Sequence, residues 1–128
     1  MKALHLAIRT ISAALGTVLV LSSGSALAQS GPKMTNGVLA DASGMTVYTF
    51  DKDTAGSGKS ACNDQCAKMW PPVPANAKVI EPYSVITRDD GSKQLAYKGK
   101  PLYLFANDTK AGERKGDKMK DVWHVVTD

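Results

Sequence analysis

One stretch of this chain is written twice. Gly44-Met-Thr-Val-Tyr48-Thr-Phe50-Asp-Lys-Asp53-Thr54 returns as Gly99-Lys-Pro-Leu-Tyr103-Leu-Phe105-Ala-Asn-Asp108-Thr109, with Gly, Tyr, Phe, Asp and Thr in register. The echo continues as Ala55-Gly56 against Ala111-Gly112, and as Trp70-Pro-Pro-Val73 against Trp123-His-Val-Val126. A repeat of this length is one supersecondary unit used twice, each copy covering an apolar face that the other cannot bury alone. The matching residues are then scaffold, and the residues that break the match are where function is sought.

The local patterns say what the unit is made of. Val38-Leu-Ala40 and Met45–Asp51 flank the turn residues Asp41-Ala-Ser-Gly44, which reads as a hairpin. Along its second strand Val47 and Thr49 face one way, Tyr48 and Phe50 the other. In the second copy Tyr83–Arg88, Lys93–Tyr97 and Pro101–Phe105 are strands, punctuated by Asp89-Asp-Gly-Ser92 and Lys98-Gly-Lys100. The β-branched and aromatic run Val122–Val126 makes a last strand. Ala61–Met69 is the one helical stretch, stopped by Pro71-Pro72. The expected fold is therefore mainly β: a small antiparallel domain of two internally repeated units with one short helix, the units related by a pseudo-two-fold.

The N-terminus bounds the compartment. Lys2 and Arg9 precede an apolar run, Ile11–Leu21, and Ser25-Ala-Leu-Ala28 supplies small residues at the positions a signal peptidase reads. Residues 1–28 are thus expected to be an export signal, 29–36 a flexible lead-in, and 37–128 a single domain with units of about 37–77 and 83–128. The apolar run is shorter than the ~20 residues of a membrane-spanning helix, so no span is expected after cleavage. Location is periplasmic or secreted. Removing Lys2 and Arg9 from sixteen basic residues leaves fourteen against twelve acids, a formal +2. That is a mixed-sign surface, not a nucleic-acid footprint.

Candidate chemistry is sparse. Tyr and Phe two apart on a strand place two rings on one face, the largest apolar burial open to so small a core. The Asp beyond them accepts backbone N–H bonds and fixes the loop. Tyr48, Phe50, Asp53, Trp70, Tyr103, Phe105, Asp108 and Trp123 are accordingly read as mainly structural, the alternative being an aromatic ledge beside a carboxylate that holds a sugar or a cationic group. Cys62-Asn-Asp-Gln-Cys66 is expected to be a local disulfide, worth ~2 kcal/mol or less for so short a loop. It has neither the redox C-x-x-C nor the haem C-x-x-C-H spacing. His124, with Met34, Met45, Met69 or Met119, is the candidate for a soft metal. Asp51, Asp53, Asp64, Asp89 and Asp90 lack the register of a calcium loop. No serine-nucleophile or phosphate-loop motif is present, and no metal or other cofactor is indicated.

Tyr48-Thr-Phe50-Asp-Lys-Asp53, Cys62/Cys66 ahead of Trp70-Pro71-Pro72, and Arg88-Asp-Asp-Gly-Ser-Lys-Gln94 leading into Tyr97–Phe105 together resemble the bacterial secreted-repeat family, described as predicted lipoproteins with a Yx(F/W/Y)xxD motif. The resemblance spans the mature chain. It implies an exported two-repeat domain, with no catalytic or binding residues assigned. No Cys stands at the cleavage site to carry a lipid.

The expected function is a non-enzymatic envelope binding or interaction module for an envelope protein or glycan. Its ligand is placed where the halves differ: the Cys62–Cys66 segment with Trp70, or the loop Asn107–Lys120. The alternative is a periplasmic metal-binding or redox accessory protein built on His124, methionines or the thiols.

Overall fold

The computed structural model describes residues 31–75 and 78–128. The export signal assigned to residues 1–28 and the start of the lead-in lie outside the described residues. The elements run β1 (Lys33–Thr35), β2 (Val38–Ala40), β3 (Tyr48–Phe50), α1 (Gln65–Met69), β4 (Tyr83–Thr87), β5 (Lys93–Tyr97), β6 (Lys100–Pro101) and β7 (Trp123–Val125), with a 3₁₀ turn at Met119–Asp121. Every strand pairing is antiparallel. The fold is mainly antiparallel β with one short helix.

Several boundaries differ from the sequence reading: the strands expected over 45–51 and 101–105 are regular only at Tyr48–Phe50 and Lys100–Pro101, and two further differences have a local cause. Residues 33–35 of the expected lead-in are β1, hairpinned to β2 through Asn36-Gly37, both at positive φ, the geometry of a two-residue type I′ turn. The helix spans Gln65–Met69 and not Ala61–Met69, because Asp64 sits in the left-handed region at φ 54° and breaks the path into it.

The strands do not close within a unit. β3 pairs with β7 across the units, Tyr48 opposite Val125, Thr49 opposite His124 and Phe50 opposite Trp123. The second unit's Tyr103–Ala106 segment is matched in turn by the first unit's 69–72 segment, through Leu104 N–H to Pro71 O (2.7 Å) and Ala106 N–H to Met69 O (2.8 Å). That segment remains irregular where β7 is a strand, since Pro71, Pro72 and Pro74 supply no N–H donors. Val73 and Val126 play equivalent parts, accepting from Leu95 N–H and Leu39 N–H at 2.9 and 2.8 Å. Each unit therefore lends its last segment to the other. At the centre Tyr48 and Tyr103 exchange backbone bonds of 2.8 and 2.9 Å, which marks the pseudo-two-fold.

Alternation along the central strands separates two cores. Leu39, Val47, Val73 and, from the second unit, Leu95, Leu102 and Val126 form an aliphatic one. Tyr48, Cys62, Trp70, Tyr103, Phe105 and Trp123 form an aromatic one, with Phe50 packed against it. Adjacent residues Val47 and Tyr48 are both fully buried, one on each side. At ~25 cal/mol per Å² of apolar surface, such rings supply most of what so small a core can gain.

Candidate functional site

The repeated residues meet each other, copy to copy. The rings stack in the order Phe50, Trp123, Trp70, Phe105, with centroid separations of 4.1, 3.7 and 4.2 Å. Tyr48 stands edge-on to Trp70 at 5.3 Å, as Tyr103 does to Trp123 at 5.1 Å. The Tyr48 hydroxyl donates to Asp108 Oδ2 at 2.5 Å, and the Tyr103 hydroxyl to Asp53 Oδ2 at 2.6 Å. The glycines reciprocate too: Gly56 N–H donates to Gly99 O at 2.9 Å, and Gly112 N–H to Gly44 O at 3.1 Å. A Cβ on Gly99 would lie 2.9 Å from Gly56 N, and one on Gly44 would lie 3.0 Å from the Ala111 Cβ. Tyr, Asp and Gly each find their partner in the opposite unit.

Burial, and then the bond to a carboxylate, push both phenols well above their ordinary range. Asp53 is raised by burial as well, against the opposing bonds from Tyr103 and Ala61 and the charge of Arg88. The phenols are thus held protonated, the state in which each donates across the units.

The two corners then diverge. Beside Tyr48, Asp108 Oδ1 accepts from Lys115 N–H at 2.9 Å, and the phenol oxygen accepts from Gly116 N–H at 3.2 Å. Gly116 has no room for a side chain, since a Cβ would come within 2.6 Å of the Trp70 ring. Beside Tyr103, Asp53 Oδ1 accepts from Ala61 N–H at 2.6 Å and the phenol oxygen meets Ser60 Oγ at 2.6 Å. Behind Ser60 lies Arg88, 4% exposed. Its Nη1 donates to Ser60 Oγ (3.0 Å) and Gln94 Oε1 (2.6 Å), and its Nη2 to the Cys62 carbonyl and to Asn63 Oδ1 (3.3 Å). Gln94 passes the network on, donating to Leu102 O at 2.7 Å. No carboxylate lies within ion-pair distance of Arg88 among the described residues; neutral acceptors satisfy the guanidinium's hydrogen bonds without pairing its charge, which makes each of those bonds costly to lose.

Two open clefts flank this second corner. One, of about 360 Å³, is lined by Asn63, Asp64, Ala67, Pro72, Arg88, Asp89, Asp90 and Ser92. The other, of about 160 Å³, runs along Lys52–Thr54 and Ser57–Ala61. The larger therefore joins the disulfide segment to the turn after β4. Asp90 is held below the usual carboxylate range by the Ser92 hydroxyl and N–H.

The candidate residues from the sequence fall into place unevenly. Cys62 and Cys66 are bonded, with Cα atoms 5.1 Å apart. Tyr48, Tyr103, Trp70, Phe105 and Trp123 are buried, so they present no exposed ledge for a sugar, and Trp70 contributes nothing to either cleft. The loop 107–120 lines neither. His124 Nε2 lies 2.8 Å from Asp51 Oδ2 on the open surface. Among the described residues no three His, Cys, Asp or Glu side chains converge as a metal site; Met34 and Met69 are exposed, and Met119 packs on the aromatic core. The sequence assigned no part in a site to Ser60, Arg88 or Gln94. The available signal was misalignment: Gln94 precedes Leu95 in the hairpin where the first unit has Val38 before Leu39.

A domain of two interlocked β units, its repeated residues facing one another and its unmatched polar residues gathered at one corner, is a tandem-repeat scaffold. The profile of a family described as "Secreted repeat of unknown function" matches residues 33–74 and 84–127, once in each unit, and the chain belongs to that family. No curated protein and no solved structure matches it. Among the described residues no helix is long and apolar enough to cross a membrane.

Proposed function

We propose that this protein is a non-enzymatic binding or interaction module of the cell envelope, periplasmic or secreted, whose partner is an envelope protein or glycan. One observation carries the reading. The hydroxyls, carboxylates and rings of the repeated motif are committed to joining the two units, whereas unmatched polar residues from both units share one open cleft. Asp64, Asp89 and Asp90 on its rim are exposed, and Arg88 on its floor is already saturated at both terminal nitrogens. The rim is therefore negative, and a cationic segment or an amino sugar complements it.

The test is a charge reversal, Asp89→Lys with Asp90→Lys, compared with the parent chain for binding to a fluorescent oligolysine peptide and to isolated cell-wall glycan. The reading expects binding to one of these probes that falls at least tenfold in the variant and weakens with salt. Equal binding by the two proteins, or none by either, removes the cleft as the contact surface.

His124 beside Asp51 supports a second reading, as a metal accessory protein, because an imidazole and a carboxylate 2.8 Å apart on an open surface are two ready ligands. Equilibrium dialysis with copper, zinc and calcium decides it. Stoichiometric retention lost in His124→Ala supports this reading, and no retention ends it.

A further inference from the structure

The surface between the units has the logic of a symmetric dimer. In an isologous interface residue i of one partner meets j of the other while j meets i. Here Tyr48 meets Asp108 while Asp53 meets Tyr103, and Phe50 stacks on Trp123 while Trp70 stacks on Phe105. The disulfide lies within the first unit, so the units are joined covalently by the backbone of residues 75–82 alone. Ile80 in that segment is 79% exposed and Glu81 and Pro82 are exposed, while Ala75 and Val79 pack against the aliphatic core.

We propose that a second copy of this chain is a partner for this surface: two chains exchange units, the first unit of each docking on the second unit of the other. Every inter-unit contact is the same in the closed monomer and in the exchanged dimer. The two forms differ in whether a unit docks on the unit it is tethered to or on that of another chain, and in concentration, since a tethered unit competes at an effective concentration in the millimolar range. Exchange is accordingly a product of folding at high concentration. It persists on dilution because reversing it requires opening both cores.

The unmatched corner decides which units pair. Arg88 comes from the second unit, and its partners Ser60, Cys62 and Asn63 from the first. Two first units together would leave those acceptors without the guanidinium, and two second units would bury two guanidiniums without them. Either like pairing leaves buried polar groups unsatisfied, which is how near-identical halves discriminate. The exchanged dimer is thus built of two unlike pairs.

Thr49 and His124 are directly opposite across β3 and β7 and are both half-buried, so a cysteine pair there reports which units have met. Thr49→Cys and His124→Cys are placed in separate chains, mixed, unfolded with the native disulfide intact, and refolded together at millimolar and at micromolar concentration before oxidation. The expected result is a linked heterodimer of the two variants, at least tenfold more abundant after concentrated refolding. A double variant refolded dilute should close within one chain, showing that the pair can bond. Closure in the double variant without any linked heterodimer overturns the proposal, as does linkage only between like variants. Independently, the unmodified protein refolded at millimolar concentration should give a native mass of two chains with the circular dichroism of the monomer; a single-chain mass alone overturns it.

Discussion

The corner at Tyr48 and the corner at Tyr103 start from the same residues and satisfy them differently. Both have a buried phenol donating to the Asp of the opposite unit. At Tyr48 the remaining need is met by backbone, with Gly116 N–H pressed under the Trp70 ring. At Tyr103 it is met by side chains, Ser60 backed by Arg88, Gln94 and Asn63, and a disulfide closes the segment. A backbone solution asks only for a glycine and leaves nothing for a ligand to read. A side-chain solution draws charge to the edge of the domain, where both clefts open. Repeated units keep what they share with each other and diverge in what they show to solvent.

The largest way to test this comparison is at the shared centre. Trp70→Ala removes an inner ring of the stack and should cost about 3–5 kcal/mol, with Trp123→Ala costing about the same. Urea unfolding of both variants checks it, and unequal losses would show that the stack is not shared evenly. Arg88→Leu should cost roughly 1–3 kcal/mol by leaving Gln94 Oε1 and the Cys62 carbonyl without donors. Hydrogen exchange should localise that loss to residues 60–63 and 94 and leave the Gly116 amide as protected as before. Protection lost equally at both corners would mean that Arg88 supports the whole fold.

The phenols give a pH test with a definite sign. Their folded-state pKa values lie above the ~10 of an unfolded tyrosine. The folded chain therefore binds more protons than the unfolded chain as pH rises past 10, and stability present below that pH is lost above it. Urea midpoints should fall between pH 9 and about 11, and Tyr48→Phe and Tyr103→Phe should each flatten the fall. The smallest effect belongs to the disulfide: Cys62→Ser with Cys66→Ser should cost ~2 kcal/mol or less, read from thermal unfolding, with disturbance confined to the Tyr103 corner.

Much of the fold was legible because it is written in periodicity. Val47/Tyr48 and Leu102/Tyr103 alternate at the spacing of a strand, and both faces proved to be core. The hairpin turns were legible at Asp41–Gly44 and at Lys98-Gly99, where Gly44 and Gly99 take positive φ. Asn36-Gly37 carries the same signal, but its polar surroundings led to a lead-in instead of a hairpin. The site was less legible. The Cys62–Cys66 segment, which the sequence marks as a place where the halves differ, contributes Asn63 and Asp64 to the larger cleft, while Trp70 beside it is core. Arg88 at the end of a strand and Ser60 in a Gly/Ser loop look like solvent-facing residues, and nothing local says that they meet.

By itself the sequence determined the unit: its strands, its turns, its two rings on one face, and the fact that it occurs twice. Those follow from local sterics and from side-chain alternation, which act over a few residues. Tertiary structure alone decided that the units interlock, so that Tyr48 finds Asp108 and not its own Asp53, and that Arg88 is buried beside the disulfide. Such choices depend on satisfying buried hydroxyls, carbonyls and one guanidinium across distances of twenty-five residues or more along the chain. Desolvation makes each unmet group costly, and only the assembled core shows which partner meets it.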